Sequence, residues 1–557
     1  MTVSPHSTPT GSVTGADQNL RLASLAMFVL LGIGVINTWV SLEEIERSDH
    51  WFRNADMNVH NMVDALSINA DVAPNMIDQP GVPLKYLLAL NYRLEHERGN
   101  LPVWNLERFA ASPEPLHEIR PLIRAERSFS RMVVIGFIIA GGFLGYQLSG
   151  SVFIGGLIAL LLCGSSGLVF HGFITRPELM CVFWGGILAL FCTDRGLKSS
   201  PRWTSPGWMA LGGLSVGFSY LSKLPGICFL ALAVSWVVVR SFGSKDLPKD
   251  GSSWGRRGAA SLIFFAVAGA ALWLAAHLRV NFESIGQLPM VRLRQLAMVL
   301  AGFGCVVWWQ PVNLVGRRVL AGVTAVALLV AGLVAVFPVC YGVFRLVMSE
   351  ASASDYLART MLLVFNPVPF LHTVATNANW AGAFELFFRE NRGLYGAALV
   401  VGLATVARSQ ISGRERGQIA VLVCVGFGLT LIMSKRHYLH QYNLFSQSML
   451  LLAMGLSFHG WYRTCFSAWS SRKLRLVLLM AVAGSYLFGL GGASRAFDWY
   501  RRYQDDALPN NPLTVLFLFS HDAHTKGYLD AMRDRYGDRD QFAQELQRYL
   551  ADPDNRY

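Results

Sequence analysis

Apolar stretches close to the ~20 residues needed to cross the hydrocarbon of a bilayer recur along most of this chain, and they limit the fold more than any other feature. Within lipid a backbone must satisfy its own hydrogen bonds, which leaves helices or a closed barrel. The stretches here have the length and composition of spanning helices. About thirteen can be read, near 22–40, 131–148, 151–170, 178–193, 206–221, 224–239, 258–276, 295–310, 319–345, 394–407, 418–434, 443–460 and 474–491. The first has no small-residue cleavage site and reads as a retained span. With 53% hydrophobic and 15% charged residues, the expectation is an all-α polytopic membrane protein of about thirteen transmembrane helices.

The formal charge of +12 excludes little until it is placed. No basic run with interleaved aromatics stands on a soluble segment, so a nucleic-acid partner is not expected. The cations instead cluster in short connections, where Lys and Arg mark the cytoplasmic side. With the N-terminus inside, five clusters fall on that side: Arg195/Lys198/Arg202, Arg240/Lys245/Lys249/Arg256/Arg257, Arg317/Arg318, Arg408/Arg414/Arg416 and Arg463/Arg472/Lys473/Arg475. The C-terminus then lies outside. Residues 1–20, rich in Ser, Thr, Pro and Gly, are expected to be a disordered cytoplasmic tail. Residues 21–491 form the membrane module, with large outer loops at 41–130 and 347–392, and 492–557 form a small outer cap with an amphipathic helix over 525–550. The eight Cys show no metal-ligand spacing and read as small core hydrophobes.

The first outer loop is the most informative stretch. Helices are expected over 59–68 and 84–97, the second with Leu84, Leu87, Leu88 and Tyr92 on one face, lying along the membrane as a roof over the bundle. In a helical segment Asp56, His60 and Asp64 share a face. A carboxylate held at the membrane surface beside a cavity can accept the proton of an attacking hydroxyl; the plainer alternative is a solvated polar face. Asp56 is the first candidate base and Asp64 the second, with Asp71 and Asp78 as competitors. A His between two carboxylates is also a metal-ligand set, but oxygen-rich triads of this kind arise readily by chance, and no metal or other cofactor is expected.

An acidic residue opening a long first outer loop, followed by the Pro-rich segment Asp78, Gln79, Pro80, Gly81, Val82, Pro83, Leu84, Lys85, Tyr86 running into a helix, resembles the GT-C superfamily of membrane glycosyltransferases. The likeness is strongest to the protein O-mannosyltransferase and aminoarabinose-transferase branch, where a His-Pro-Pro-Leu segment stands at this place. This chain has Gln79 for that His, and Met57 rather than an acid after Asp56. Two further patches are similar to segments of the superfamily: Thr175, Arg176, Pro177, Glu178, and the turn Leu221, Ser222, Lys223, Leu224, Pro225, Gly226. A fourth, Ser434 to Tyr442, resembles the Arg-Tyr or His-Tyr segment that faces the donor phosphate. It also breaks the inside bias of the other basic clusters. For Arg176, Glu178 and Lys223 the alternative is an interhelical ion pair, for example Arg176 with Glu178 or Asp56; for the fourth patch it is a snorkelling interfacial belt.

The resemblance implies a GT-C-like bundle that moves a monosaccharide from a polyprenyl-phosphate donor to a hydroxyl of a glycan, lipid or protein on the outer face, with inversion. It implies Asp56 as base, and a donor and phosphate site drawn from Lys85, Arg176, Glu178, Lys223, Arg436, His437, Tyr438 and His440, where cations and hydroxyls meet the leaving phosphate. A bacterial inner membrane is the implied location. Two rivals are an O-antigen polymerase or ligase acting on a diphosphate-linked glycan, which would carry its large loop late, and a non-enzymatic lipid or glycan transporter, which would show two related halves.

Overall fold

The computed structural model describes residues 15–48, 56–74, 81–198, 204–242, 254–281, 288–309, 317–365, 379–434, 440–465, 471–502, 534–535, 537 and 539–552. Among these residues every regular element is a helix. Helix α1 (Gly15–Ser48) begins inside the tail expected at 1–20 and runs past its membrane stretch. Helices α2 (Asp56–Asn69), α3 (Val82–Glu97) and α4 (Leu106–Ala111) make up outer loop one, and α5 (Pro115–Ser149) leads back into the bundle. The bundle continues with α6 (Val152–Cys163), α7 (Ser166–Phe170), α8 (Pro177–Val182) and, after a π turn at Phe183–Leu188, α9 (Ala189–Lys198). Then come α10 (Thr204–Ser222), α11 (Cys228–Phe242), α12 (Trp254–Asn281), α13 (Leu288–Trp309) and α14 (Arg317–Phe344). Loop two carries α15 (Glu350–Phe365) and α16 (Trp380–Glu390), followed by α17 (Arg392–Ala407), α18 (Gly413–Ser434), α19 (Asn443–Thr464), α20 (Ser471–Arg502) and α21 (Arg539–Ala551).

A whole or interrupted helix occupies each expected apolar stretch, and among the described residues seven helices are long and apolar enough to cross a membrane. The stretch at 151–170 is broken where α6 ends at Gly164 and Ser165 accepts a hydrogen bond from Leu168 N to start α7. Helix α20 continues past residue 491, into the region expected to be the cap. The amphipathic helix expected over 525–550 is described as α21, and the first part of that range lies outside the described residues.

Small residues set the closest helix approach, as membrane packing requires. Helices α10 and α14 meet at Gly213 and Gly332, where an added Cβ would collide with the carbonyls of Leu329 and Ala210. The helices of outer loop one dock on the bundle. Val59, Met62, Leu66, Leu84, Leu88 and Tyr92 are buried in one apolar core with α10, α14 and α15, because α2 and α3 are apolar on more than one face and gain more by docking than by floating. Helix α21 packs on the same side: Leu546 belongs to that core, the Tyr549 ring meets His117 at 4.5 Å, and Arg535 donates to the Ser112 carbonyl.

Described members of the basic clusters gather at the opposite end. Asp194, fully buried, pairs with Lys198 at 3.0 Å and Arg240 at 3.0 Å and accepts from Trp236 and Gln147; Arg463 reaches Glu415 at 3.0 Å. The Cys reading needs one correction. Cys163, Cys181, Cys192 and Cys340 are core residues, but Cys305 and Cys424 lie on outward faces of α13 and α18; in a lipid-facing helix a thiol is apolar enough to sit there.

Candidate active site

Four patches, far apart in sequence, meet at the loop-one end of the bundle. The first contact is Asn61 on α2, whose Nδ2 donates to the Thr175 carbonyl at 3.0 Å, while Ser130 on α5 donates to Thr175 Oγ1 at 3.2 Å. Outer loop one is thereby fixed to the turn before α8. The second contact comes from the Pro-rich segment: Gly81, in the left-handed region at φ 49°, ends its turn and donates its N–H to the Ser222 carbonyl at 3.1 Å. A residue with a Cβ is strained in that conformation, and glycine is not. Pro83, one of the first residues of α3, fits the open N-terminal turn, which has no use for its missing N–H.

The third contact is ionic. Glu178, in the first turn of α8, accepts a short charge-assisted hydrogen bond from Lys223, and both side chains are buried. Lys223 precedes the 3-10 turn Leu224–Ile227, in extended conformation at φ −158°, which ends α10 and turns the side chain inward. Its ammonium also lies over the Tyr442 ring, 5.0 Å from the centroid. The fourth contact joins the late segment to α7: the ring of fully buried His171 lies with Nε2 3.2 Å from the Gln441 carbonyl. Arg176, capping the N-terminus of α8, is the next cation to Glu178 after Lys223. One buried carboxylate therefore has two cations near it, one of which lies over an aromatic ring.

The sequence candidates divide accordingly. Glu178, Lys223 and Arg176 come together, with His440 one turn before α19, its ring 6.4 Å from that of Phe170. The partner of Glu178 is Lys223, not the Arg176 considered from sequence. Lys85 and Asp64 pair with each other at 2.7 Å, with side-chain exposures of 1% and 6%; in this arrangement Lys85 neutralises a carboxylate, and a phosphate reaches it only by displacing Asp64. Burial first, and then the Asp64 carboxylate, push the neighbouring Tyr356 hydroxyl well above its ordinary pKa of 10.0. Asp71 serves as an anchor: its carboxylate accepts from Ser349 N at 2.6 Å and its carbonyl from Ser352 Oγ at 2.6 Å, tying loop one to the start of α15. Its φ of 60° is one that Asp tolerates better than most residues. Asp56 is the first residue of α2 with its side chain outside the described part, so Asp56, His60 and Asp64 do stand on one helix as expected. Asp78, Arg436, His437 and Tyr438 lie outside the described residues.

Sequence reasoning missed three groups: His171; Glu126 on α5, fully buried against Tyr92 and Asn61 without a well-aligned hydrogen bond; and a buried amide network. In the network Gln447 accepts from Ser165 Oγ at 2.7 Å and Gly167 N at 3.0 Å and donates to Asn391 at 2.6 Å, while Asn391 donates to Asn443 at 2.6 Å. This fixes α19 and the 440–442 turn against α7. Asn443 and Gln447 lie four residues apart in an apolar span, and that spacing was the available signal, since polar groups on one face of a span seek a partner. Among the described residues no group of three or more His, Cys, Asp or Glu side chains is arranged to hold a metal ion.

No family model matches this chain, and no curated protein matches it by sequence. Among solved structures, the oligosaccharyltransferase of Archaeoglobus fulgidus in its apo form superposes with a TM-score of 0.51 at 16% identity, over 90% of this chain and 59% of that one. This chain shares its fold with that archaeal enzyme. The same archaeal protein, AglB, in complex with an inhibitory peptide and a dolichol-phosphate gives 0.47 at 15% identity, and tethered to an acceptor peptide 0.46 at 14%. This chain spans 59% of the length of that enzyme. At one end of its bundle this chain brings together described residues of the four patches.

Proposed function

We propose that this chain is a glycosyltransferase that transfers a monosaccharide from a polyprenyl-phosphate donor to a hydroxyl of a glycan, lipid or protein on the outer face of a bacterial inner membrane. The reading assigns thirteen crossings, a cytoplasmic N-terminus and an outer C-terminal cap, supported by the basic clusters at one end and α21 on loop one at the other.

One observation carries the reading: α2, which begins at the acidic Asp56, is bonded through Asn61 to the turn that presents Arg176, Glu178 and Lys223. A base and a cation-rich pocket at one membrane surface are what a single displacement with inversion needs. The acceptor O–H gives its proton to the Asp56 carboxylate while its oxygen bonds to the anomeric carbon. The bond from that carbon to the phosphate oxygen breaks, and the electron pair leaves with the polyprenyl phosphate. Arg176, Lys223, Arg436, His437, Tyr438 and His440 hold the leaving phosphate; Glu178 fixes Lys223, and the Asp64–Lys85 pair braces α2 against α3. No metal is invoked for a leaving group of this kind. A lipid-linked oligosaccharide donor is the second reading, favoured by the likeness in fold to an oligosaccharyltransferase.

Native mass spectrometry of the purified chain with a polyprenyl-phosphate sugar tests the donor class. Retention of the donor, lost in Lys223→Ala or Arg436→Ala, is expected. Equal retention in both variants and the parent removes the proposed phosphate site.

A further inference from the structure

The carboxyl of Glu126 on α5 is fully buried, and neither of its oxygens has a hydrogen-bond partner among the described residues. Two neutral groups stand against it, the Tyr92 hydroxyl from α3 and the Asn61 amide from α2. Tyr92 Oη and Asn61 Oδ1 are likewise buried without a partner. The cation that acts on Glu126 among the described residues is Arg127, which as the next residue projects about 100° further round the helix. A carboxylate so placed is cut off from solvent and has no bonded counterion. Burying such a charge costs far more than burying the neutral acid.

The count of donors and acceptors points the same way. Asn61 Nδ2 already donates to the Thr175 carbonyl at 3.0 Å, so the amide lacks a donor for Oδ1. Tyr92 lacks an acceptor for its O–H. A carboxylic acid supplies one of each, whereas a carboxylate supplies acceptors only and leaves Oδ1 bare. Other charges nearby are accounted for: Asp64, one turn beyond Asn61 on α2, is taken by Lys85 of α3 at 2.7 Å.

Glu126 lies one turn from Ser130 on the face of α5 that meets the turn before α8. Ser130 holds Thr175 by its hydroxyl, and Asn61 holds it by its carbonyl. Thr175 leads directly into Arg176 and α8, while Asn61 stands on the helix that begins at Asp56. That turn has holds besides Asn61, in Ser130 and in the Glu178–Lys223 pair. Through Asn61, Glu126 therefore bears on the placement of α2 more than on the turn itself.

We propose that Glu126 is a neutral carboxylic acid and a positioning residue: its O–H donates to Asn61 Oδ1, its carbonyl accepts from Tyr92, and the amide so fixed sets α2 and Asp56 against the turn of Arg176. The consequence for transfer rests on the sugar-transfer reading; the contact itself does not.

The test compares the full-length protein in detergent with Glu126→Gln, Glu126→Asp and Glu126→Leu. At neutral pH the infrared spectrum of the parent is expected to show the carbonyl stretch of a protonated carboxylic acid, lost in Glu126→Gln. Glu126→Gln keeps a donor and an acceptor without charge, and it is expected to hold hydrogen exchange in α2 and single-turnover sugar transfer near parental values. Glu126→Leu is expected to speed exchange in α2 and to lower turnover about a hundredfold, the scale of a misplacement of about 1 Å. Its retention of a polyprenyl-phosphate sugar is expected to stay parental, because the turn keeps its other holds. If Glu126→Leu does not fold, Glu126→Asp, one methylene shorter and drawn back from Asn61, gives the same readouts. Infrared spectra that match in the parent and Glu126→Gln overturn the neutral acid. Parental α2 exchange in both Glu126→Leu and Glu126→Asp overturns the positioning role. Absence of transfer in the parent, with the acid band and the exchange differences present, would sink the sugar-transfer reading and leave the Asn61 contact standing.

Discussion

Removing Lys223 tests how the site is held together. Lys223→Ala takes the only direct cation from Glu178 among the described residues, and the two side chains are 5% and 0% exposed. A buried carboxylate left without its partner costs about 3–5 kcal/mol, and losing the ammonium over the Tyr442 ring adds up to about 2 kcal/mol. Glu178→Gln leaves the opposite charge uncompensated and is expected to cost a similar amount. The double variant has neither charge. Its loss is therefore expected to fall short of the sum of the single losses by about 1–3 kcal/mol, the coupling of residues in direct contact. Unfolding of the purified variants in detergent measures this cycle. A second readout separates the roles: the double variant is expected to regain stability but not donor binding, because Lys223 is proposed also to hold the donor phosphate. Single losses below about 1 kcal/mol, or additive losses, would show that the pair is not a buried bridge. Recovery of donor binding together with stability would confine Lys223 to a structural role.

Other perturbations follow from the same contacts. Asp71→Ala removes the anchor of Ser349 and is expected to speed hydrogen exchange at the start of α15, with little change in the α10–α14 core. Gly81→Ala places a Cβ in a left-handed turn and should cost about 1–2 kcal/mol in unfolding experiments. Gly332→Leu, forced against the Ala210 carbonyl, should abolish folding or lower stability by several kcal/mol on the scale of severe overpacking. Tyr92, outside the spans, has its hydroxyl pushed well above 10.0 by burial and then by the Glu126 carboxyl. The unfolded chain ionises first, so this contribution to stability is present below about pH 10 and is lost above it. Tyr92→Phe should flatten that alkaline loss in pH-dependent unfolding.

Most of the bundle was legible because lipid imposes one rule, a run of apolar residues long enough to span it. The break at Gly164–Ser165 was not: a glycine and a serine in an apolar stretch look ordinary until Phe488 is packed on Gly164 and Gln447 takes the serine hydroxyl. Outer loop one was read correctly as helical, but its packing partners were not legible, because amphipathicity shows that a face is buried without showing against what. At the site, Arg176, Glu178 and Lys223 stood out as ionisable residues beside spans, where burial demands a partner. The pairing of Asp64 with Lys85 did not, since the two are separated by a turn whose path depends on Gly81 and Ser222. His171 carried no sequence signal; its role in joining α7 to Gln441 exists only in three dimensions.

The central claim, sugar transfer by a base on α2 from a lipid-phosphate donor, is tested most directly by single-turnover transfer from radiolabelled polyprenyl-phosphate sugar with the purified chain saturated with donor. Asp56→Asn, Asp64→Asn, Asp71→Asn and Glu178→Gln are compared with the parent. The account predicts that Asp56→Asn binds donor like the parent yet transfers no sugar to a hydroxyl acceptor, while Asp71→Asn retains most of its turnover. Parental turnover in Asp56→Asn, with loss at Asp64 or Glu178 alone, would contradict the assignment of the base. Parental turnover in all four variants would contradict the placement of catalysis on outer loop one.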